Sequence, residues 1–177
     1  IDIKNKDEQE QMRISGKLAS EVLDMIENHI KPGITTGELD QICHDYIVND
    51  QNSIPANVGY KGYPATICTS VNHVVCHGIP STKKLKHGDI LNIDVAIIKN
   101  SFYGDTSRMY LIGKPTQQGE RISKIAYEAL CQGIRQVKPG NQLGDIGHAI
   151  QLHTEKHNYS VVKEYCGHGI GKTYHEE

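Results

Sequence analysis

Gly88-Asp89-Ile90-Leu91-Asn92-Ile93-Asp94-Val95-Ala96-Ile97-Ile98 is the stretch on which the fold turns. From Leu91 it alternates: Leu91, Ile93, Val95 and Ile97 point to one side, and Asn92, Asp94 and Ala96 to the other, the period of a β-strand. The return strand runs from Ser101 to Leu111, so residues 89–112 read as a hairpin. With Lys99-Asn100 as a two-residue turn, Ile98 pairs with Ser101 and Asp94 falls opposite Asp105. Like charges placed directly across a ladder repel. Three readings stay open on spacing alone. A pair of metal ions bridged by carboxylates would neutralise the two acids. A shared proton or a bulge that separates them would relieve the repulsion. The two could also be solvated aspartates near a turn.

Outward from the hairpin, residues 7–29 carry a helical period in Ile14, Leu18, Val22, Met25 and Ile26. Lys31-Pro32-Gly33 stops that helix. Thr35-Thr36-Gly37-Glu38 has the spacing of a capping box and opens a second amphipathic helix through Leu39, Ile42, Cys43, Tyr46 and Ile47. Residues 53–80 read as loops and short strands. A third helix stops at Lys138-Pro139-Gly140, a fourth covers about 143–157, and 160–165 reads as a strand leading into Gly167-His168-Gly169-Ile170-Gly171. The helix–Lys-Pro-Gly–helix frame thus occurs twice, with Arg13-Ile14-Ser15 and Arg121-Ile122-Ser123 ahead of the two copies. Duplication explains these matches better than a shared taste for a helix stop. It divides the chain into 1–113, a first αβ half with its hairpin, and 114–177, the start of a second. The polar ends at Ile1 and Glu177 read as trimmed. Part of the aliphatic hairpin face is then expected to be exposed for want of partner strands.

The 177 residues suit one ordinary core, and a net charge of -2 without a basic run argues against nucleic acid or an anionic membrane as partner. No apolar stretch approaches the length of a membrane span and no signal-peptide pattern appears. Five scattered cysteines without a C-x-x-C read as reduced thiols in a cytoplasmic protein. With ten histidines, position decides which matter. His168 lies among glycines that let the backbone pass close to a ligand, and His77-Gly78-Ile79-Pro80 forms a similar short loop. Each signal is weak alone.

Together the segments are specific. Cys76-His77-Gly78-Ile79-Pro80, Asn92-Ile93-Asp94-Val95, Gly104-Asp105-Thr106-Ser107, and Cys166-Gly167-His168-Gly169-Ile170-Gly171 followed by His175-Glu176-Glu177 resemble the type I methionine aminopeptidases in order and spacing. The resemblance covers essentially the whole chain. It implies an α+β, pita-bread fold with the first half complete and the second pseudo-symmetric half truncated. It implies two divalent ions (cobalt, manganese, iron, zinc or nickel). Asp94, Asp105 and His168 match ligands, Asp105 matches the bridging one, and two glutamates beyond Glu177 complete the set. Glu176 and Glu177 are not those glutamates. Without them the chain as it stands is expected to be inactive.

The same resemblance matches His77 to a histidine that contacts the substrate near the scissile amide, and His175 to the one that hydrogen-bonds its carbonyl. Asn57, Tyr60, Tyr63, Cys68 and Tyr174 match the methionine pocket. Asn57 departs from the cysteine common there, and Tyr174 stands where phenylalanine is common, so both make the pocket more polar. Carbonyls near Asn72 and Val74 match a monovalent-cation site. The implied substrate is the N-terminal methionine of nascent polypeptides, met in the cytoplasm by a monomer, with the ribosome as a further partner. Two rivals are kept: a prolidase or aminopeptidase P acting on Xaa-Pro, which the Cys76–Pro80 loop disfavours, and a metal-free homologue serving as a binding module, which the intact visible ligands disfavour.

Overall fold

The structure is a computed structural model and describes residues 2–177. Two compact units divide the chain: residues 1–115 with 168–177, and residues 116–167.

The first unit opens with helix α1, Lys6–Glu27, closed at its start by a capping box between Asn5 and Glu8. Helix α2, Thr36–Asp45, starts from the expected box of Thr35 and Glu38 and runs into a single π turn, Tyr46–Asp50. Strands β1 (Ile54–Pro55), β2 (Ile67–Val71), β3 (Ile90–Lys99) and β4 (Phe102–Leu111) form one antiparallel sheet. β3 is central, with β4 along one edge and β2 and β1 sharing the other.

Alternation along β3 builds a core on each face. Leu91, Ile93, Val95 and Ile97 are completely buried with Ala19, Val22, Leu23 and Ile26 of α1 and Leu39 of α2. The expected exposure of that aliphatic face is therefore wrong: α1 lies along β3 and β4 and covers it. The cover is pinned by the Tyr110 hydroxyl, which donates to the Leu23 carbonyl at 2.7 Å. The Ser15 hydroxyl also bonds the Phe102 carbonyl at 3.1 Å. Gly104 packs directly on the Ser15 carbonyl, where a Cβ has no room. The opposite face holds a smaller cluster of Ala56, Ala96 and Tyr174, flanked by Tyr60, Ile98 and Tyr103.

The hairpin turn differs from expectation by one residue. Asn100 and Ser101 are its central pair, with φ of 51° and 66°, and Lys99 pairs with Phe102. A two-residue hairpin of this kind needs positive φ at both central positions. Asparagine accepts that conformation more readily than lysine. Lys99 is also held in the strand, its Nζ donating to the carbonyls of Gln51 at 2.9 Å and Asn52 at 2.7 Å. Asp94 consequently pairs with Ser107 and Asp105 with Ala96. Moving the turn by one residue shifts the pairing by two, so both aspartates keep the same face and become diagonal neighbours.

The second unit consists of α3 (Gln117–Ile134), α4 (Leu143–Lys156) and the segment that follows. Its helix–Lys-Pro-Gly–helix frame repeats that of α1 and α2 in conformation as well as sequence: Gly33 and Gly140 take φ of 97° and 92°. Open space surrounds both positions, so glycine is needed there for its backbone freedom and not for clearance. The expected strand at 160–165 is absent. That segment is irregular, because no neighbouring strand among the described residues gives it a ladder, and β-prone residues alone do not hold a strand in water.

Candidate active site

Two chain segments meet on the polar face of the hairpin. Residues 168–177 fold back on themselves through reciprocal backbone bonds between Gly169 and Glu176, at 2.9 and 2.8 Å. The Tyr103 N–H donates to the Gly171 carbonyl at 2.8 Å, docking this loop at the start of β4. Glu176 is engaged by the Lys4 ammonium at 2.6 Å, which leaves it in a structural role. The docked loop carries His168, Tyr174 and His175 over Asp94 and Asp105.

Asp105 occupies the middle of the acidic group. Its carboxyl neighbours that of Asp94, and its Oδ2 stands 3.5 Å from Nε2 of His168. Burial, followed by the charge of Asp105, pushes the Asp94 carboxyl up to about 7. Two carboxylates pressed together in this way retain a proton between them unless a cation replaces it. His168 Nδ1 lies 2.8 Å from the Gly169 carbonyl, which can only accept. In the neutral ring Nδ1 therefore carries the proton, and the Nε2 lone pair faces a carboxylate oxygen. Fixing a histidine tautomer through the far nitrogen is how metal-binding imidazoles are prepared. Lone pair and carboxylate face each other favourably only with a proton or cation between them. The residues thus fit a divalent cation on both counts.

His175 lies beside His168, ring centroids 4.1 Å apart. Its Nδ1 is 2.7 Å from the Tyr60 hydroxyl, and the Tyr60 ring stacks on it at 5.3 Å. Burial first, then the neighbouring His168 and Lys61, hold the imidazole below its ordinary range. A neutral ring that accepts from Tyr60 at Nδ1 presents Nε2–H outward as a donor.

The five residues matched to a methionine pocket all lie in this unit. The Tyr174 hydroxyl donates to Asn57 Oδ1 at 2.8 Å, and Asn57 Nδ2 donates to the Thr66 carbonyl at 3.0 Å. Both side chains are buried. The two departures from the family pattern are therefore partners: a phenol that would be stranded in an apolar cup finds its acceptor in the asparagine. Tyr174 is flanked by Tyr60 at 4.8 Å and Tyr103 at 5.2 Å. Cys68 is buried and pairs with Asp94 across β2 and β3. The Tyr63 hydroxyl lies between the carbonyls of Ile67 and Gly78, at 3.1 and 3.0 Å. His77 is exposed with φ of 54°, a strained conformation for histidine. Gly78 holds that loop on β2 by accepting from the Thr69 N–H at 2.7 Å.

Tyr103, which stacks on Tyr174 and docks the loop, is a neighbour of this group that the sequence reading does not include. The available signal was parity on β4, since it shares the face of Asp105.

The model of metallopeptidase family M24 matches residues 10–177. The methionine aminopeptidase of Salmonella typhimurium is 58% identical over 178 residues, spanning 100% of this chain and 67% of its own length. Among solved structures, the methionine aminopeptidase of Rickettsia prowazekii superposes with a TM-score of 0.98 at 52% identity, over 100% of this chain and 71% of that one. The prolidase of Pyrococcus furiosus superposes with a TM-score of 0.82 at 22% identity, over 98% of this chain and 50% of that one, a likeness of fold alone.

Proposed function

Because this chain belongs to metallopeptidase family M24 and, within it, to the methionine aminopeptidases, we propose that its chemistry is hydrolytic removal of an N-terminal methionine from a polypeptide. The fold is the α+β pita-bread fold of that family, and the enzyme is a metallo-exopeptidase. The prolidase alternative shares only the fold, at much lower identity. The observation that carries the reading is the Asp94–Asp105–His168 group. Its paired carboxyls and oriented imidazole form a donor set suited to positive charge.

In this reading Asp94, Asp105 and His168 would hold divalent metal, drawn from cobalt, manganese, iron, zinc or nickel. Divalent ions held there would supply Lewis acidity toward a carbonyl and would acidify a water. His175 donates from Nε2 to the scissile carbonyl as charge develops on it, with Tyr60 fixing its tautomer. That is the work of an oxyanion donor. His77 contacts the substrate near the scissile amide. Asn57, Tyr60, Tyr63, Cys68 and Tyr174 form the cup for the methionine side chain, and the Cys68 sulfur suits a thioether.

A monovalent cation at the backbone of Asn72 and Val74 is a finer reading. The tight turn there supports it, with Asn72 at φ of 55° and the Val74 N–H on the Val71 carbonyl. Nascent chains in the cytoplasm, the ribosome as partner, a monomeric state, and the pairing of a first half (1–113) with a second (114–177) complete the proposal. Turnover of Met-Gly-Met, of a Met-Leu-headed peptide and of an Xaa-Pro-headed peptide by the parent enzyme tests it. Met-Gly-Met is expected to be the best substrate, and preference for the Xaa-Pro peptide would move the protein to the prolidases.

A further inference from the structure

Outside this site, among the described residues, Glu128 of α3 and His153 and His157 of α4 each bring a ligand atom within 4.8 Å of the other two. His153 and His157 are four residues apart, so one helical turn places both on the same side. Their rings are in contact, with centroids 4.7 Å apart, and His153 Nε2 lies 3.2 Å from Glu128 Oε2. All three side chains are half-buried. The end of α4 is held in this position by Arg121, whose guanidinium donates to the His157 carbonyl at 2.9 Å and covers the Tyr159 ring.

We propose that Glu128, His153 and His157 form a second metal site, for a divalent transition ion of the zinc type, that clamps α3 to α4. Two imidazoles and one carboxylate are a zinc-type donor set, and a tetrahedral ion would keep one position for water. Magnesium or calcium would not select two imidazoles. An ordinary ion pair accounts for His153 and Glu128 but not for the second ring. The contact between the rings brings two nitrogen donors to the same place as the Glu128 carboxylate. The clamp also has a mechanical use. No residue of α4 is fully buried, so a bond to α3 through metal adds to a thin apolar contact.

The test is calorimetric titration of the whole protein with zinc chloride, comparing the parent with H153Q/H157Q and with E128Q. The double variant is expected to bind one zinc ion fewer per chain and E128Q to bind that ion more weakly. Hydrolysis of Met-Gly-Met should be unchanged in both, since none of the three residues belongs to the peptidase site. Circular dichroism checks that the helices survive; if the double variant loses helix content, E128Q decides alone. Unchanged zinc stoichiometry and affinity in the folded variants would overturn the proposal.

Discussion

Replacing Tyr174 by phenylalanine removes a single oxygen, yet its consequence depends on Asn57. The Tyr174 hydroxyl donates to Asn57 Oδ1 at 2.8 Å, and the two side chains are only 8% and 6% exposed. Tyr174→Phe leaves the asparagine oxygen buried without that donor, a loss of about 1–3 kcal/mol. Asn57→Cys strands the phenol and also takes the Nδ2 donor from the Thr66 carbonyl, so its cost should be at least as large. Removing both polar partners together is close to neutral. The double variant, which restores the common cysteine and phenylalanine, should therefore be more stable than the sum of the single effects predicts. The expected coupling is about 1–2 kcal/mol. Urea unfolding of the four proteins measures it, and each kcal/mol corresponds to roughly 2–4 °C in Tm for a chain of this size. Additive single effects would refute the idea that the asparagine and the tyrosine compensate one another.

In the full-length parent, Asp105→Ala should abolish binding of divalent metal at the hairpin and with it activity, because this carboxylate lies between the other two donors; calorimetry showing native affinity would reject the assignment. His175→Ala should lower kcat by roughly 10²–10³ with metal content at this site unchanged, the loss expected for one oxyanion donor; metal analysis separates a donor from a ligand. In the metal-free protein the raised Asp94 carboxyl makes stability pH-dependent. A folded-state value near 7 against about 4 unfolded means that its contribution is present below the unfolded value and lost as pH rises through about 7. Thermal melts between pH 4 and 8 should show this loss, and Asp94→Asn should remove it. Gly104→Ala should destabilise by several kcal/mol, since the new Cβ meets the Ser15 carbonyl of α1 and packed backbone cannot yield cheaply; chemical denaturation tests it.

Much of this protein is local and could be read without its structure. Capping boxes at Thr35–Glu38, the Lys-Pro-Gly stops and the alternation from Leu91 to Ile97 act over a few residues, so the sequence determined the helices, the hairpin and the two faces of β3. Parity likewise placed Asp94 and Asp105 on one face, and survived an error in the turn because the side-chain period is two. What only tertiary structure decided depends on groups distant in the chain. Lys99 stays in the strand because it reaches the Gln51 and Asn52 carbonyls, and this selects the register. Residues 160–165 carry strand-forming side chains yet form no strand, because a strand needs a neighbour. The His168 imidazole is oriented by the Gly169 carbonyl and brought to Asp105 only by folding. Asn57 and Tyr174, each an oddity in the linear sequence, are a buried hydrogen-bonded pair once folding brings them together.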